Sequence, residues 1–228
     1  MTERPILFSA PMVRAILEGR KSQTRRVVTP QPPTPEQVHA LAGIDYSWIA
    51  PTHQRIEYHR PAGPVWAVRA LMGREPHLRC PYGHPGDRLW VREAWGIAAG
   101  LPWDPGYVEY RADCTGNFND VGDLIPRWRP STHMPRKYSR ILLEVTDVRV
   151  QRVQDISEAD ARAEGVLWVP GHGEITPADL EEGYSNYLDC RQGFWGLWDS
   201  INERRGYGWE ANPWVWCLTF KRVDEAKG

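Results

Sequence analysis

Apolar residues near the start of the chain recur at the three- and four-residue spacing of a helix. They are Met12, Val13, Ile16 and Leu17. Ser9 suits the N-cap of this helix and Gly19 the position just past its end, so we predict a helix over about residues 10–18. Residues 20–28 lack this spacing and are predicted to turn and then run extended.

Alternation of apolar and polar residues predicts strands in the rest of the chain. The clearest are Arg88–Trp95, Ser139–Val153 and Pro213–Phe220, and a shorter one is expected over Tyr107–Arg111. Strands scattered among short helices are typical of an α+β fold. Here we expect a small β-barrel with short flanking helices and long loop insertions.

Capping residues and apolar spacing predict further helices. Ser157 and Asp160 resemble a capping box at the start of a helix over residues 158–164, and Gly165 suits its end. Another helix is expected to begin at Thr176-Pro177. The last predicted helix presents one apolar face, made of Phe194, Trp195, Leu197, Trp198 and Ile201.

Two stretches, residues 29–84 and 97–137, show neither the apolar spacing of a helix nor the alternation of a strand over most of their length. The first opens with a proline-rich run, and the protein has 20 prolines in all, which favours long ordered loops over continuous helix. We interpret both stretches as insertions in a single domain that spans residues 1–228.

Composition excludes several classes of protein. Of the 228 residues, 41% are hydrophobic and 25% charged, as in ordinary globular proteins, and no apolar run is long enough to cross a membrane. The N-terminal sequence lacks the continuous apolar segment of a secretory signal, and the four cysteines have no framework spacing. We therefore expect reduced thiols and a cytoplasmic protein. The formal net charge of -1 argues against a basic surface that covers the whole protein.

The densest group of polar side chains lies between the first helix and the extended segment. Thr24 and Arg26 are two residues apart, so an extended backbone places both on one face, and Lys21 can reach that face across the turn. A lysine beside a hydroxyl is a known base–nucleophile pair when the amine is neutral, and burial or neighbouring arginines lower a lysine pKa. The alternative interpretation is a solvated basic turn without chemistry.

Two carboxylates are candidates for proton transfer. Glu164 lies in the last turn of its predicted helix, where the helix dipole disfavours a negative charge by up to ~1 kcal/mol, and Glu93 lies on a predicted strand. Each can equally be an ordinary structural or solvated glutamate. The spacing of Cys80, His84 and the other histidines matches no metal motif, so we expect no metal site.

The segment Gly19-x-Lys21-x-x-Thr24-x-Arg26, directly after an amphipathic helix, resembles the signature of the ASCH domains, a branch of the PUA-like superfamily. Gly86-Asp87 before a strand and the closing Trp216–Lys221 segment are similar to the same family. Most ASCH domains have Glu where this chain has Thr24, and the Thr form resembles the small bacterial N4-acetylcytidine amidohydrolases. The resemblance covers about half of the chain. The two insertions are instead similar to those of longer phage and prophage ASCH proteins.

In those enzymes a Lys, a Thr and a Glu form the catalytic group. The resemblance therefore implies Lys21 as general base, Thr24 as nucleophile, and Glu164 as the residue that orients the lysine and assists proton transfer. Arg26 is implied to bind the substrate or the developing oxyanion. The implied reaction hydrolyses the exocyclic N4-acyl amide of an acylated cytosine nucleoside without a cofactor. We expect the insertions to widen the pocket for bulky acyl groups.

Two other classes of function stay open at this point. Many PUA-like domains bind RNA, so the chain is also a candidate RNA-binding module, or a ribonuclease that uses Lys21. A phage-related protein without catalysis is the third candidate. Thr24 favours the enzyme, because a pure RNA-binding module needs no hydroxyl beside a lysine.

Overall fold

The structure is a computed structural model that describes residues 1–31, 65–67, 77–97, 107–114, 128–168, 184–185 and 189–223. For 65–67, 77–79, 167–168 and 184–185 it describes the backbone alone. Most of the two predicted insertions, and the helix expected at Thr176-Pro177, lie outside these residues.

The described residues form an α+β fold. Their strands are β1 (Glu3–Leu7), β2 (Gln23–Val27), β3 (Val65–Ala67), β4 (His77–Arg79), β5 (Arg88–Arg92), β6 (Trp95–Ile97), β7 (Val108–Tyr110), β8 (Leu142–Arg152), β9 (Leu167–Trp168), β10 (Tyr184–Ser185) and β11 (Trp214–Val223). Their α-helices are α1 (Ala10–Leu17), α2 (Glu158–Ala163) and α3 (Cys190–Asn202).

One five-stranded sheet organises the fold, with the strand order β1-β5-β8-β11-β2. β1 runs parallel to β5, and the other neighbours are antiparallel. The remaining described strands pair in twos, as β3 with β4, β6 with β7, and β9 with β10. Strand β2, which carries the predicted chemistry, therefore lies at an edge of the main sheet.

Strand β11 is buried on both faces, because helices pack against each of them. Trp216 and Leu218 belong to a core cluster that includes Val13 and Ile16 of α1. The alternate residues of β11 join a second cluster with residues of α2 and α3. They are Val215 and Cys217. Because β2 pairs with β11, it lies between the same helices.

The predicted strand Arg88–Trp95 is wrong in its extent, because it is interrupted after Arg92. At the break the Glu93 side chain turns inward to Arg140, whose Nε and Nη2 atoms lie 2.9 and 3.1 Å from its carboxylate oxygens. Trp95 then begins β6, which pairs with β7 rather than with the main sheet.

The predicted apolar face of the last helix is partly wrong. Phe194 and Trp198 are buried, but Trp195 is 40% and Ile201 45% exposed. The Trp195 indole donates to the Asp199 carboxylate at 2.7 Å and stacks on Trp209, a buried residue of the second core cluster. An indole N–H that finds a carboxylate one turn away is well placed at the surface, so helical spacing alone assigned this residue to the wrong environment.

The main sheet is open among the residues described, since no backbone ladder joins its edge strands β1 and β2. A side chain connects them instead: the Arg26 guanidinium donates to the Leu7 carbonyl oxygen at 2.6 Å and lies over the Phe8 ring. No helix in the described ranges is long and apolar enough to cross a membrane.

Candidate functional site

Lys21 and Glu164 form a buried ion pair. The Lys21 Nζ atom lies 2.8 Å from Glu164 Oε2 and 2.7 Å from the main-chain oxygen of the same residue. The two side chains are 0% and 4% exposed. The structure thus brings together two of the three predicted catalytic residues.

Two helix ends place this pair. Gly19, with a φ of 75°, follows the C-terminal end of α1. The Lys21 backbone N–H donates to the Ala15 carbonyl at 3.0 Å. Gly165, with a φ of 88°, ends α2 directly after Glu164. A Cβ atom at Gly165 would lie 3.0 Å from the Ala15 Cβ and 3.1 Å from the Lys21 Cβ, so only glycine allows the two turns to approach this closely.

Arg25 is the site residue that the sequence interpretation missed. Its guanidinium is fully buried and donates to Glu164 Oε1 at 3.0 Å and to Asp160 Oδ2 at 2.9 Å. Arg149 also donates to Asp160 Oδ2, at 2.6 Å. Glu164 therefore accepts hydrogen bonds from two cations, Lys21 on one oxygen and Arg25 on the other.

Asp160 takes part in the cap of α2 through its backbone N–H, which leaves its side-chain carboxylate available to bind arginines. The Ser157 hydroxyl accepts from the Asp160 backbone N–H at 3.1 Å, as the capping pattern predicted. The Asp160 carboxylate binds Arg25 and Arg149 instead of returning to the cap. Burial alone would raise the pKa of Asp160, but the bond from Arg149 and the charge of Arg25 outweigh it and lower that pKa.

Thr24 and Glu164 line a cavity of about 250 Å³ beside the edge strand β2. Both side chains belong to nearly buried residues, at 2% and 5% exposure, so they form its floor. Most apolar residues of the described wall come from α1, β2, α3 and β11. They are Met12, Val27, Phe194, Leu197, Trp198, Ile201 and Trp216.

Thr24 and Arg26 share one face of β2, as their spacing predicted, and both line the cavity. Thr24 is paired with Leu218 and Arg26 with Trp216 across the strand register. Within the described residues no hydrogen bond joins the Thr24 hydroxyl to the Lys21 amine, whose recorded acceptors both belong to Glu164. Hydrogen bonds between catalytic groups often form only in the complex with substrate.

Burial is the main cause that lowers the pKa of Lys21. Glu164 opposes it by charge and hydrogen bonding, while the charges of Arg26 and Arg25 act in the same direction as burial. Burial likewise lowers the pKa of Arg26. A lysine whose ammonium form is disfavoured is better able to accept a proton near neutral pH, which is what a general base requires.

The first predicted insertion contributes to the cavity where it is described. Thr29, Pro81 and Tyr82 lie in the wall near its opening, and all three fall within residues 29–84. No residue of the second predicted insertion is among the described residues that line the cavity. The expected widening of the pocket for bulky acyl groups stays a prediction for both insertions.

Glu93, the competing carboxylate, serves a different set of contacts. It is 1% exposed, and Arg140 binds both of its oxygens while also binding Asp113 through Nη1 at 2.6 Å. Burial raises the pKa of Glu93, and the bonds from Arg140 oppose this. Among the described residues, Glu93 does not line the cavity that Thr24 and Glu164 line.

The cysteines and histidines form no metal centre in the part of the chain that the structure describes. No group of three His, Cys, Asp or Glu side chains there is arranged to hold an ion. His84 instead contacts the buried Asp87 through its ring and its backbone N–H, both at 3.3 Å. His172 lies outside the described residues.

Comparisons with known proteins add no relative: no family model, no curated protein and no solved structure matches the chain.

Proposed function

We propose that the protein is an amidohydrolase that cleaves the exocyclic N4-acyl amide of acylated cytosine nucleosides, giving cytidine and a carboxylic acid. The observation that carries the proposal is the buried contact of Lys21 with Glu164 beside a cavity that Thr24 lines. A nucleophilic hydroxyl, a lysine with a lowered pKa and a carboxylate that orients it make up an acyl-transfer site.

In this proposal the Thr24 oxygen attacks the acyl carbonyl carbon while the neutral Lys21 amine takes the hydroxyl proton. The tetrahedral intermediate collapses by breaking the bond to N4, and Lys21 returns the proton to the leaving amine. Glu164 fixes the lysine throughout both transfers. Water then attacks the Thr24 ester, again with Lys21 as the base, and the acid leaves while Thr24 regains its proton.

Arg26 is proposed to bind the substrate carbonyl as charge develops on its oxygen. One of its nitrogens donates to the Leu7 carbonyl, and the side chain lines the cavity on the same face as Thr24. A guanidinium has five N–H donors, so others remain to stabilise an oxyanion.

The family assignment belongs to the same proposal. The Gly19-x-Lys21-x-x-Thr24-x-Arg26 segment supports an ASCH domain with a PUA-like barrel, acting in the cytoplasm on a modified nucleoside. The five-stranded sheet, with its edge strands linked through Arg26, is compatible with such a barrel.

An ultraviolet assay with N4-acetylcytidine tests the proposal, because deacylation changes the chromophore of the base. The wild-type protein should convert the compound, Lys21→Ala and Thr24→Ala should not, and Thr24→Ser should retain part of the rate because it keeps the hydroxyl. Circular dichroism controls for folding. Full activity in folded Lys21→Ala or Thr24→Ala would remove the assigned roles.

The same assay separates the rival functions. A ribonuclease that uses the Lys21–Glu164 pair would cleave RNA and leave N4-acetylcytidine unchanged. An RNA-binding module or a non-catalytic phage-related protein would turn over neither compound. The nearly buried Thr24 in a cavity of about 250 Å³ favours the amidohydrolase, since a single strand of RNA needs an open groove.

A further inference from the structure

The cavity has a deep end and an exposed end. Thr24 and Glu164 form the buried floor, whereas Thr29, Ile201 and Arg205 are exposed residues of the same wall. A ligand that reacts at Thr24 therefore has its far end on the exposed side of the cavity, which Arg205 lines together with Thr29 and Ile201.

The charged residues of the wall are unbalanced in favour of positive charge. Glu164 is the single carboxylate among the described lining residues, and Arg25 and Lys21 already bind it. Two further cations line the cavity, Arg26 and Arg205, and in the described structure neither forms a salt bridge with a carboxylate. Two arginines without acidic partners favour an anionic ligand.

Arg205 is held loosely by its own surroundings. One of its nitrogens lies 3.5 Å from the Asn202 Oδ1 atom, at the limit of a hydrogen bond, and the guanidinium carbon lies 5.9 Å from the centre of the Tyr207 ring. It belongs to the short turn Glu203–Arg205 that follows α3. Its donors are thus available to a ligand at the opening.

The volume of the cavity limits which part of a ligand it encloses. About 250 Å³ lies below the range of about 300–1,000 Å³ usual for small-molecule pockets. An acylated base can occupy this space against Trp198 and Trp216, but the sugar and its substituents must lie at the opening. A group on the ribose, such as a 5′-phosphate, is then on the exposed side of the cavity, which Arg205 also lines.

We propose that Arg205 binds the 5′-phosphate of the substrate, so that the enzyme acts on N4-acylated cytidine 5′-monophosphate in preference to the free nucleoside. This inference rests on the proposed amidohydrolase function, because that function places the base at the floor. The guanidinium of Arg205 donates to the phosphate oxygens, and the deacylated product is cytidine 5′-monophosphate.

Calorimetric binding of the two products, cytidine and cytidine 5′-monophosphate, tests the phosphate site without any catalysis. The wild-type protein should bind the monophosphate about tenfold more tightly, as expected for a charge-assisted bond to one arginine. Arg205→Gln should remove this difference and leave cytidine binding unchanged. Arg204→Gln is the matched control, because Arg204 is the exposed neighbour, carries the same charge and does not line the cavity.

Equal affinity for the two products in the wild-type protein, or equal effects of the two variants, would overturn the proposal. So would a short oligocytidine that binds more tightly than the monophosphate through Arg205, since that result assigns the arginine to RNA. Raising the salt concentration should weaken monophosphate binding and not cytidine binding, as for any exposed ion pair.

Hydrolysis assays with the acetylated nucleoside and nucleotide distinguish failure of the phosphate site from failure of the proposed amidohydrolase activity. Arg205-dependent binding of the monophosphate without turnover of either acetylated compound contradicts the amidohydrolase and leaves a nucleotide site. Turnover of acetylated nucleoside and nucleotide with the same kcat/KM contradicts the phosphate site and leaves the amidohydrolase.

Discussion

Lys21 and Glu164 are 143 positions apart in the chain, yet the Lys21 amine donates to both the carboxylate and the main-chain carbonyl of Glu164. The second acceptor is a backbone atom, so it remains when the carboxylate is changed. Glu164→Gln therefore separates the charge of Glu164 from its role in holding the lysine. This makes the pair suitable for measurements of the lysine's protonation.

The pKa of Lys21 should shift in opposite directions in two variants, Glu164→Gln and Arg25→Gln. Glu164 raises the pKa of Lys21 and Arg25 lowers it, whereas the dominant effect of burial is common to both. We expect Glu164→Gln to shift the titration of Lys21 to lower pH and Arg25→Gln to shift it to higher pH. The ¹³Cε chemical shift of Lys21, assigned with a Lys21→Arg variant, reports this without requiring activity. Shifts of the same sign in the two variants would contradict the electrostatic assignment.

The lowered pKa of Lys21 also gives stability a pH dependence. Between that pKa and the ordinary value of 10.5 the unfolded chain holds a proton that the folded protein lacks. The free energy of unfolding should therefore increase with pH in this window, and the Lys21→Met variant should lose that contribution. Urea unfolding at several pH values measures the slope. The same slope in wild type and Lys21→Met would show that Lys21 does not cause it.

Arg25 should matter for stability more than Arg149, although both bind Asp160. The Arg25 side chain is fully buried and binds a second carboxylate, so Arg25→Gln should destabilise the fold by about 3 kcal/mol. The Arg149 side chain is 34% exposed, and Arg149→Gln should cost about 1 kcal/mol or less. Denaturant midpoints of the two variants provide the comparison. Equal losses would mean that the Glu164 contact contributes nothing.

Local patterns in the sequence predicted the helix and strand framework, but not the complete site. The spacing around Met12 and the cap at Ser157 predict α1 and α2 because both depend on neighbours within one turn. Arg25 was missed because alternation places it on the opposite face of β2 from Thr24. The available signal was the four-residue spacing of Asp160 and Glu164, which puts two carboxylates on one side of a helix end, where a cation between them relieves their repulsion.

Two glycines of similar conformation in the turn before β5, Gly83 and Gly86, should differ in how much an alanine destabilises the protein. Gly83 and Gly86 have φ values of 95° and 92°, so an alanine is strained at either position. A Cβ atom at Gly83 would also lie 2.6 Å from Asp87 Oδ2, whereas none of the surrounding atoms lies within 4 Å of one at Gly86. Asp87 is fixed by the Thr2 backbone N–H at 2.9 Å.

We therefore expect Gly83→Ala to destabilise the protein by about 1–3 kcal/mol more than Gly86→Ala, because overpacking adds to the backbone strain. Thermal unfolding of both variants tests the difference. Similar losses would show that Asp87 can move away from the added methyl group.

The four cysteines are free thiols, and three of them, Cys80, Cys190 and Cys217, are buried. Burial raises the pKa of Cys80 and of Cys217 to about 12, so their thiolate fraction at pH 8 is minute. We expect a thiol reagent to modify only Cys114 readily in the folded protein and all four thiols after unfolding without reductant. Cys114→Ser should abolish the early reaction. Fewer than four thiols in the unfolded chain would reveal a disulfide.

The size of the acyl group should be limited by the apolar wall that α3 supplies. Leu197 and Phe194 line the cavity, and each methylene that a substrate buries there adds ~0.8 kcal/mol of binding. We expect N4-benzoylcytidine to have a kcat/KM within about tenfold of that for N4-acetylcytidine, since the lost room and the added burial offset each other.

Changing the volume of this wall should change the preference between the two acyl groups. Leu197→Trp removes space and should lower the benzoyl-to-acetyl ratio of kcat/KM, whereas Leu197→Ala should raise it. Ser200→Trp adds the same bulk at an exposed position of α3 that does not line the cavity, so it should leave the ratio unchanged. An unchanged benzoyl-to-acetyl ratio of kcat/KM in both Leu197 variants would mean that the acyl group does not contact Leu197, because a side chain in contact with the acyl group must affect its fit. A loss of several hundredfold for benzoyl in the wild-type protein, about 3 kcal/mol or more, would mean that the insertions close the cavity rather than widen it.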